Sequence, residues 1–262
     1  MIIIDKEKCT GCGACVRDCL NKTLILKDGK AEWIRECFRC MHCIAACPAG
    51  AVSVDDPEYD MKEVFPIEEA SCFIPAEKIL NLIRSRRTIR HFQKRGIEKE
   101  KLDLLLDAGR FSPTGSNAQN VSYIVIQKER EAFNSAAMRA FRTYNDPERF
   151  AEVYPPPYAR DRMDFEDDEF LFKGADTIIL TICPRDDNAA IASANMELAA
   201  NGMGLGMLYV GIFVRLVNRD PSIRKYLGLS EGDHVATALG FGYPDVRYYR
   251  TVPRKPARVR WM

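Results

Sequence analysis

The 262-residue sequence has no long hydrophobic run, almost no net charge and only three histidines. Its longest apolar stretch, Met203 to Val214, stops at Arg215, well short of the roughly 20 residues that a helix needs to cross a bilayer. The opening Met1-Ile2-Ile3-Ile4-Asp5-Lys6 lacks the basic start and long apolar core of a secretory signal. These absences predict a cytoplasmic chain with no membrane partner. A formal net charge of +1 supplies no broad basic field, so no nucleic-acid partner is expected either. With 47% hydrophobic and 29% charged residues, the composition is that of a soluble globular protein of one or two domains. No acid, base or nucleophile stands out: His42, His91 and His234 sit in no recognisable catalytic motif, which favours surface or structural roles.

Cysteine, by contrast, is abundant. Eight of the ten cysteines lie between Cys9 and Cys47. A disulfide framework belongs to a secreted context, which nothing here supplies. The first set is Cys9, Cys12, Cys15 and Cys19; the second is Cys37, Cys40, Cys43 and Cys47, followed by Pro48. Each reads C-x2-C-x2-C-x3-C. Zinc sites usually use two ligand pairs and a long spacer, so a pair of zinc knots is the weaker reading. Three thiols so closely spaced suit one [4Fe–4S] cube, with the fourth thiol of each run reaching the other cluster. One cluster is therefore assigned to Cys9, Cys12, Cys15 and Cys47, the other to Cys37, Cys40, Cys43 and Cys19. Residues 1–56 resemble the bacterial two-cluster ferredoxins, with one departure: Leu20 stands where the second run has Pro48.

The flanks agree. Ile2–Ile4 and Ala51–Val54 read as strands, and Leu24–Leu26 with Ala31–Ile34 as a hairpin turning at Asp28-Gly29. So thin a core predicts that the clusters supply much of the stability. Residues 57–75, punctuated by Pro57, Pro66 and Pro75, read as a linker, with Cys72 as a small packed residue.

From Pro75 the periodicity turns helical, with Ile79, Leu82 and Ile83 on one face. The helix runs into Arg84-Ser85-Arg86-Arg87-Thr88-Ile89-Arg90-His91-Phe92. On charge alone this is a solvated face. A second helix, about Glu98 to Ala108, buries Leu102, Leu105 and Leu106 and ends at Gly109. The loop Ser112-Pro113-Thr114-Gly115-Ser116-Asn117-Ala118-Gln119-Asn120 then leads into a strand from Val121 to Ile126. Further helices are expected over 129–143 and Asp186–Met203, the latter buried around most of its circumference, and a strand over Ala175–Cys183. Residues 144–174, with Pro155-Pro156-Pro157 and the acidic run Glu166–Glu169, read as an irregular insertion, either a binding loop or a solvated excursion. Cys183 is expected to be packing.

Taken together, R-R-T-I-R-x-F, S-P-T-x-x-N-x-Q, and the terminal Ala238–Pro244 and Pro253-Arg254-Lys255-Pro256 resemble the FMN-dependent nitroreductase superfamily over residues 76–262. Asn120 stands where that family usually has proline. The whole is then an α+β chain: a small two-[4Fe–4S] ferredoxin-type domain, then a nitroreductase-type mixed sheet with flanking helices.

The resemblance implies FMN bound between the subunits of a homodimer. By motif position, Arg86, Arg87, Thr88 and Arg254 fall at the phosphate and ribityl end. Arg90 matches a cation near flavin N1 and O2, where positive charge favours the reduced ring. Asn117 is matched to the pyrimidine edge, with Thr114, Gly115 and Gln119 in the same loop. Leu208, Tyr209, Val210 and Gly211 lie along the ring, offering backbone N–H near N5. No protein group is assigned as catalytic; the chemistry belongs to the cofactor. The fusion suggests a reductase. An external donor (ferredoxin, flavodoxin or a reductase) feeds two clusters, then FMN, then a small acceptor such as a nitroaromatic, quinone or activated alkene. The alternatives are an electron-transfer module serving a protein partner, and another reductive flavin chemistry such as dehalogenation.

Overall fold

The computed structural model describes the chain apart from residues 68–72 and 154–156, so Cys72 and the Pro155-Pro156 pair lie outside the described residues. The contacts divide it into two units: Met1–Ile74 with Gly115–Ala118, and Pro75–Thr114 with Gln119–Met262.

In the N-terminal unit, strands β1 (Ile2–Ile4), β2 (Leu24–Lys27), β3 (Lys30–Trp33) and β4 (Val52–Val54) form two antiparallel pairs, β1 with β4 and β2 with β3. The hairpin turns where Asp28-Gly29 predicts. Both residues have positive φ, 51° and 75°, the backbone that a two-residue turn needs to match strand twist. Helices α1 (Ala14–Asp18) and α2 (His42–Ala45) each begin inside a cysteine run. Cys9, Cys15, Leu24, Ala31 and Ala51 make one small core, and Ile2, Ile44, Val52 and Val54 another; Cys43 and Cys47 pack against both. Thiols supply much of this interior.

The second unit holds helices α3 (Ala76–Ser85), α4 (Lys99–Arg110), α5 (Arg130–Arg142), α6 (Pro147–Val153), α7 (Asp186–Gly202), α8 (Gly211–Val217) and α9 (Pro221–Tyr226). Its strands are β5 (Ser122–Ile126), β6 (Thr177–Ile182), β7 (Gly206–Tyr209) and β8 (Val235–Gly242), ordered β5-β6-β8-β7 with each neighbouring pair antiparallel. An isolated parallel bridge, Thr88 to Met207, adds the parallel component. Strand alternation divides the sheet's two faces. Ile178 and Leu180 join Phe133, Phe172 and Phe213 in one core, while Ile179 joins Leu105, Met196 and Phe241 in the other. Helices α4 and α7 cover the second core and α5 and α8 the first. The class is α+β, and among the described residues no helix is long and apolar enough to cross a membrane.

Three local expectations change. Helix α4 does not stop at Gly109 but runs to Arg110. Gly109 is buried within it against Tyr123 and Met196, so here the glycine serves packing and not termination. Residues 144–174, among those described, are neither wholly irregular nor wholly solvated. They contain α6, and Phe150, Val153, Phe165, Leu171 and Phe172 are buried in the larger core. Two members of the acidic run bind arginines: Arg130 reaches both oxygens of Glu169, and Arg142 Nη2 lies 2.5 Å from Asp168 Oδ1. Helix α7 buries one face only, Asn188, Ala189, Ala192, Ser193, Met196, Glu197 and Ala200, and leaves Ile191 exposed. Its alanines are small enough to be tolerated in water, which is why periodicity misread its outer face. Helix α3 buries no residue; Ile79, Leu80 and Ile83 are exposed.

Candidate functional site

In the N-terminal unit the two cysteine runs repeat one backbone. Gly11 and Gly13, on either side of Cys12, have φ of 73° and 72°. Arg39 and Met41, on either side of Cys40, have φ of 53° and 61°. Cys19, Cys37, Cys40 and Cys43 line a common cavity with Leu24, Phe38 and Met41. Cys9 and Cys15 are buried in one core, with Cys47 packed against them, whereas Cys12 is exposed. Among the described residues, no group of three His, Cys, Asp or Glu side chains is placed to chelate a single metal ion.

Several sulfurs already accept hydrogen bonds. Ala31 N–H donates to Cys9 Sγ at 3.4 Å, Ala51 N–H to Cys47 Sγ at 3.2 Å and Thr23 N–H to Cys19 Sγ at 3.3 Å. The Ala31 bond lowers the Cys9 thiol pKa. At Cys19 burial opposes ionisation, but the Thr23 hydroxyl and N–H outweigh it and the pKa falls. Burial raises Cys15, and pushes Cys43 up to about 11. A bound cationic iron centre would offset that cost, since thiolate is the ligand form. Cysteines gathered on a cavity, with N–H groups aimed at sulfur, fit a cluster's needs. His42 Nδ1 lies 3.2 Å from Asp18 Oδ2 on the surface, and His234 pairs with Asp186 at 2.8 Å, so these two histidines have carboxylate partners that no motif announced.

The second unit gathers arginines. Helix α3 ends as Arg86 N–H caps the Leu82 carbonyl, and the chain then runs extended beside β7. Thr88 bridges Met207, Ile89 N–H bonds the Met207 carbonyl at 3.0 Å, and Phe92 bridges Pro244. Ile89 sinks into the interior, so Thr88 and Arg90 project from the opposite side of the extended stretch. Gly206 permits this approach: a Cβ there would stand 2.4 Å from Ile89 Cγ1. At the end of α3, a cavity of about 530 Å³ is lined by Ile83, Arg84, Arg86, Arg87, Thr251, Val252 and Arg254.

Four guanidinium side chains thus line one space. Arg87 spends Nη1 on the Arg84 and Arg86 carbonyls, while its buried Nη2 has no partner among the described residues. An orphaned, buried cationic donor in such a wall fits an anion, and forked donors fit phosphate. Arg86 Nη1 meets Glu197 Oε1 at 2.8 Å. Burial of the Tyr209 hydroxyl, and then the Glu197 charge, push the Tyr209 pKa up to about 12.

The remaining candidate residues are less concentrated. Arg90 is exposed. Thr114 Oγ1 accepts from Gln119 N–H at 2.9 Å. Gly115 and Asn117 group with the N-terminal unit, in which Asn117 Nδ2 donates to the Arg39 carbonyl at 2.8 Å. Leu208 and Val210 are buried, Val210 N–H is taken by the Ala238 carbonyl, Tyr209 is partly exposed and Gly211 opens α8. Asn120 ties its loop to α7, accepting from Asn188 Nδ2 at 3.1 Å and from Cys183 Sγ. Sequence reasoning missed Glu197 and did not give Arg84 a role. For Glu197 the signal was an acidic residue at the helical spacing of Ala189, Ala192, Ser193, Met196 and Ala200, a buried position that demands a cationic partner.

Comparison with known proteins agrees with these features. The nitroreductase family model matches residues 83–243, and a 4Fe-4S dicluster domain model matches residues 8–64. An NADPH-flavin oxidoreductase of Vibrio harveyi is 28% identical over 180 residues, 69% of this chain and 71% of that one. A ferredoxin of Pyrobaculum islandicum is 41% identical over 54 residues, 20% of this chain and 50% of that one. The crystal structure of a nitroreductase with bound FMN from Bacteroides fragilis shares the fold at a TM-score of 0.56, with 20% identity, covering 70% of this chain and 98% of that one. The chain belongs to the nitroreductase family, with a 4Fe-4S dicluster, ferredoxin-type domain preceding the nitroreductase fold.

Proposed function

We propose that this protein is an FMN-dependent reductase that takes electrons from an external donor through two [4Fe–4S] clusters to FMN and on to a small oxidised acceptor. The carrying observation is that one chain holds both a cavity lined by four thiols and a cavity lined by four arginines. Clusters exchange single electrons, whereas a flavin exchanges one or two, so it matches one-electron supply to two-electron reduction. Nitroaromatics, quinones and activated alkenes are the acceptor class.

In this reading Arg86, Arg87 and Arg254 hold the FMN phosphate, with Thr88 beside them. Arg90 supplies positive charge near flavin N1 and O2. Thr114, Gly115, Asn117 and Gln119 serve the pyrimidine edge, and Leu208–Gly211 the ring. Cys9, Cys12, Cys15 and Cys47 hold one cluster; Cys37, Cys40, Cys43 and Cys19 hold the other, a wiring supported by Cys19 sharing the cavity of the second run. The ferredoxin-type domain spans residues 1–56, a linker 57–75 and the flavin domain 76–262. The active form is a cytoplasmic homodimer with FMN between subunits, supported by the exposed apolar face of α3, Ile79, Leu80 and Ile83.

Anaerobic stopped-flow spectroscopy of the purified protein tests this. Reduced ferredoxin or flavodoxin should bleach the cluster absorbance before the flavin's, and a small acceptor should then reoxidise both. Flavin reduction that precedes the clusters with every effective donor would sink the electron route. A reduced protein inert to every small acceptor, but oxidised by a protein, would favour the electron-transfer module.

A further inference from the structure

Glu197 is a buried acid beside an otherwise cationic cavity. Helix α7 sets it on its inner face, and its carboxylate reaches the Arg86 guanidinium at 2.8 Å, with 9% of its side chain exposed against 28% for Arg86. Arg84, Arg87 and Arg254 line the same space. Like charges there repel Arg86 and favour its turning outward to water. Guanidinium carries five N–H donors in a planar fork. A carboxylate holding Nη1 restrains that fork and leaves other donors for a ligand.

We propose that Glu197 is a positioning residue for phosphate recognition: it holds Arg86 in the cavity wall against the repulsion of its neighbours, so that the phosphate of FMN meets a preset fork. The inference rests on the phosphate reading of this cavity. It concerns a residue that contacts Arg86 and is not among those lining the cavity. Its effect therefore depends on whether the ligand carries a phosphate, which distinguishes positioning from general structural support.

The test compares FMN with riboflavin, which lacks the phosphate, as titrants of the full-length, cluster-loaded protein freed of flavin, followed by quenching of flavin fluorescence. Wild type should bind FMN more tightly than riboflavin. Glu197→Ala should cut that preference about tenfold, the scale of a lost charge-assisted contact, with riboflavin affinity unchanged. Glu197→Gln keeps an oxygen acceptor for Arg86 Nη1 and should retain most of the preference. In an Arg86→Ala background, Glu197→Ala should cause no further loss. Should the alanine variant not fold, Glu197→Asp withdraws the carboxylate by one methylene and should shift the preference in the same direction. Equal weakening of FMN and riboflavin, or a preference that survives Glu197→Ala or Glu197→Asp, overturns the inference alone. A wild-type protein with no preference for FMN overturns the phosphate reading and this inference with it.

Discussion

Gly13 and Met41 occupy equivalent places in the two cysteine runs and share one left-handed backbone conformation, φ 72°, ψ 7° and φ 61°, ψ 7°. Each lies directly after the second cysteine of its run and caps the short helix that carries the third. Glycine adopts this conformation without strain, while a side chain costs about 1–2 kcal/mol. The second run therefore stores strain that the first avoids, and Arg39 repeats the asymmetry against Gly11.

Position 41 should thus invert the usual ranking of small residues. Met41→Ala loses packing and keeps the strain; Met41→Gly loses the same packing and relieves it. Glycine should be more stable than alanine there by about 0.5–1 kcal/mol, net of its chain entropy, whereas Gly13→Ala should destabilise by about 1–2 kcal/mol. Anaerobic urea titrations followed by cluster absorbance would measure both, and alanine exceeding glycine at position 41 would contradict the strain.

Cys19 follows Cys15 in sequence but lines a cavity with Cys37, Cys40 and Cys43. Cys19→Ala should therefore degrade the cluster of the second run and spare that of Cys9, Cys12 and Cys15. Iron and sulfide analysis should give about eight of each in the parent protein. Paramagnetic resonance of the reduced variant would identify the missing signal, and loss of the first run's signal would refute the crossed wiring.

Arg254 and Arg90 should fail differently. In the proposed reading Arg254→Gln removes a phosphate donor from the arginine cavity and should increase flavin release, measured by ultrafiltration. Arg90→Gln should leave retention near normal but lower the FMN midpoint potential, because a charge contact worth roughly 1.5–3 kcal/mol is lost from the reduced ring. An unchanged potential would remove Arg90 from the flavin's surroundings.

Arg130 joins α5 to the 144–174 segment, bonding Glu169 through both nitrogens and the Ala175 carbonyl through Nε at 2.9 Å. Arg130→Met should lower stability by about 1–3 kcal/mol, and limited proteolysis should begin to cut within residues 160–172. Resistance equal to wild type would mean that Phe165 and Phe172 hold the segment unaided.

Much of this was legible in the chain. Cysteine spacing and the Asp28-Gly29 turn each pair a residue type with one physical requirement, so local sequence suffices to read them, whereas the arginine stretch read as a solvated face on charge alone and took on a phosphate role only through the family resemblance. What escaped depends on contacts distant in sequence. The aromatic residues after Tyr144 sit among prolines and acids, and only their burial beside Phe133 and Phe141 shows a core segment. Arg86 and Glu197 lie far apart in sequence. Gly109 reads as a stop until Tyr123 is seen against it.

The extended stretch that carries Thr88 also closes an edge. β7 is an outer strand, and Thr88 and Ile89 cover it at Met207, while Phe92 bridges Pro244 beyond the end of β8. Without that cover, β7 would present unpaired N–H and C=O groups as a template for another chain. The same few residues that bring arginines to the cavity therefore guard the sheet against aggregation. A substitution that frees them, such as Ile89→Asp, would cost the protein its solubility together with its ligand.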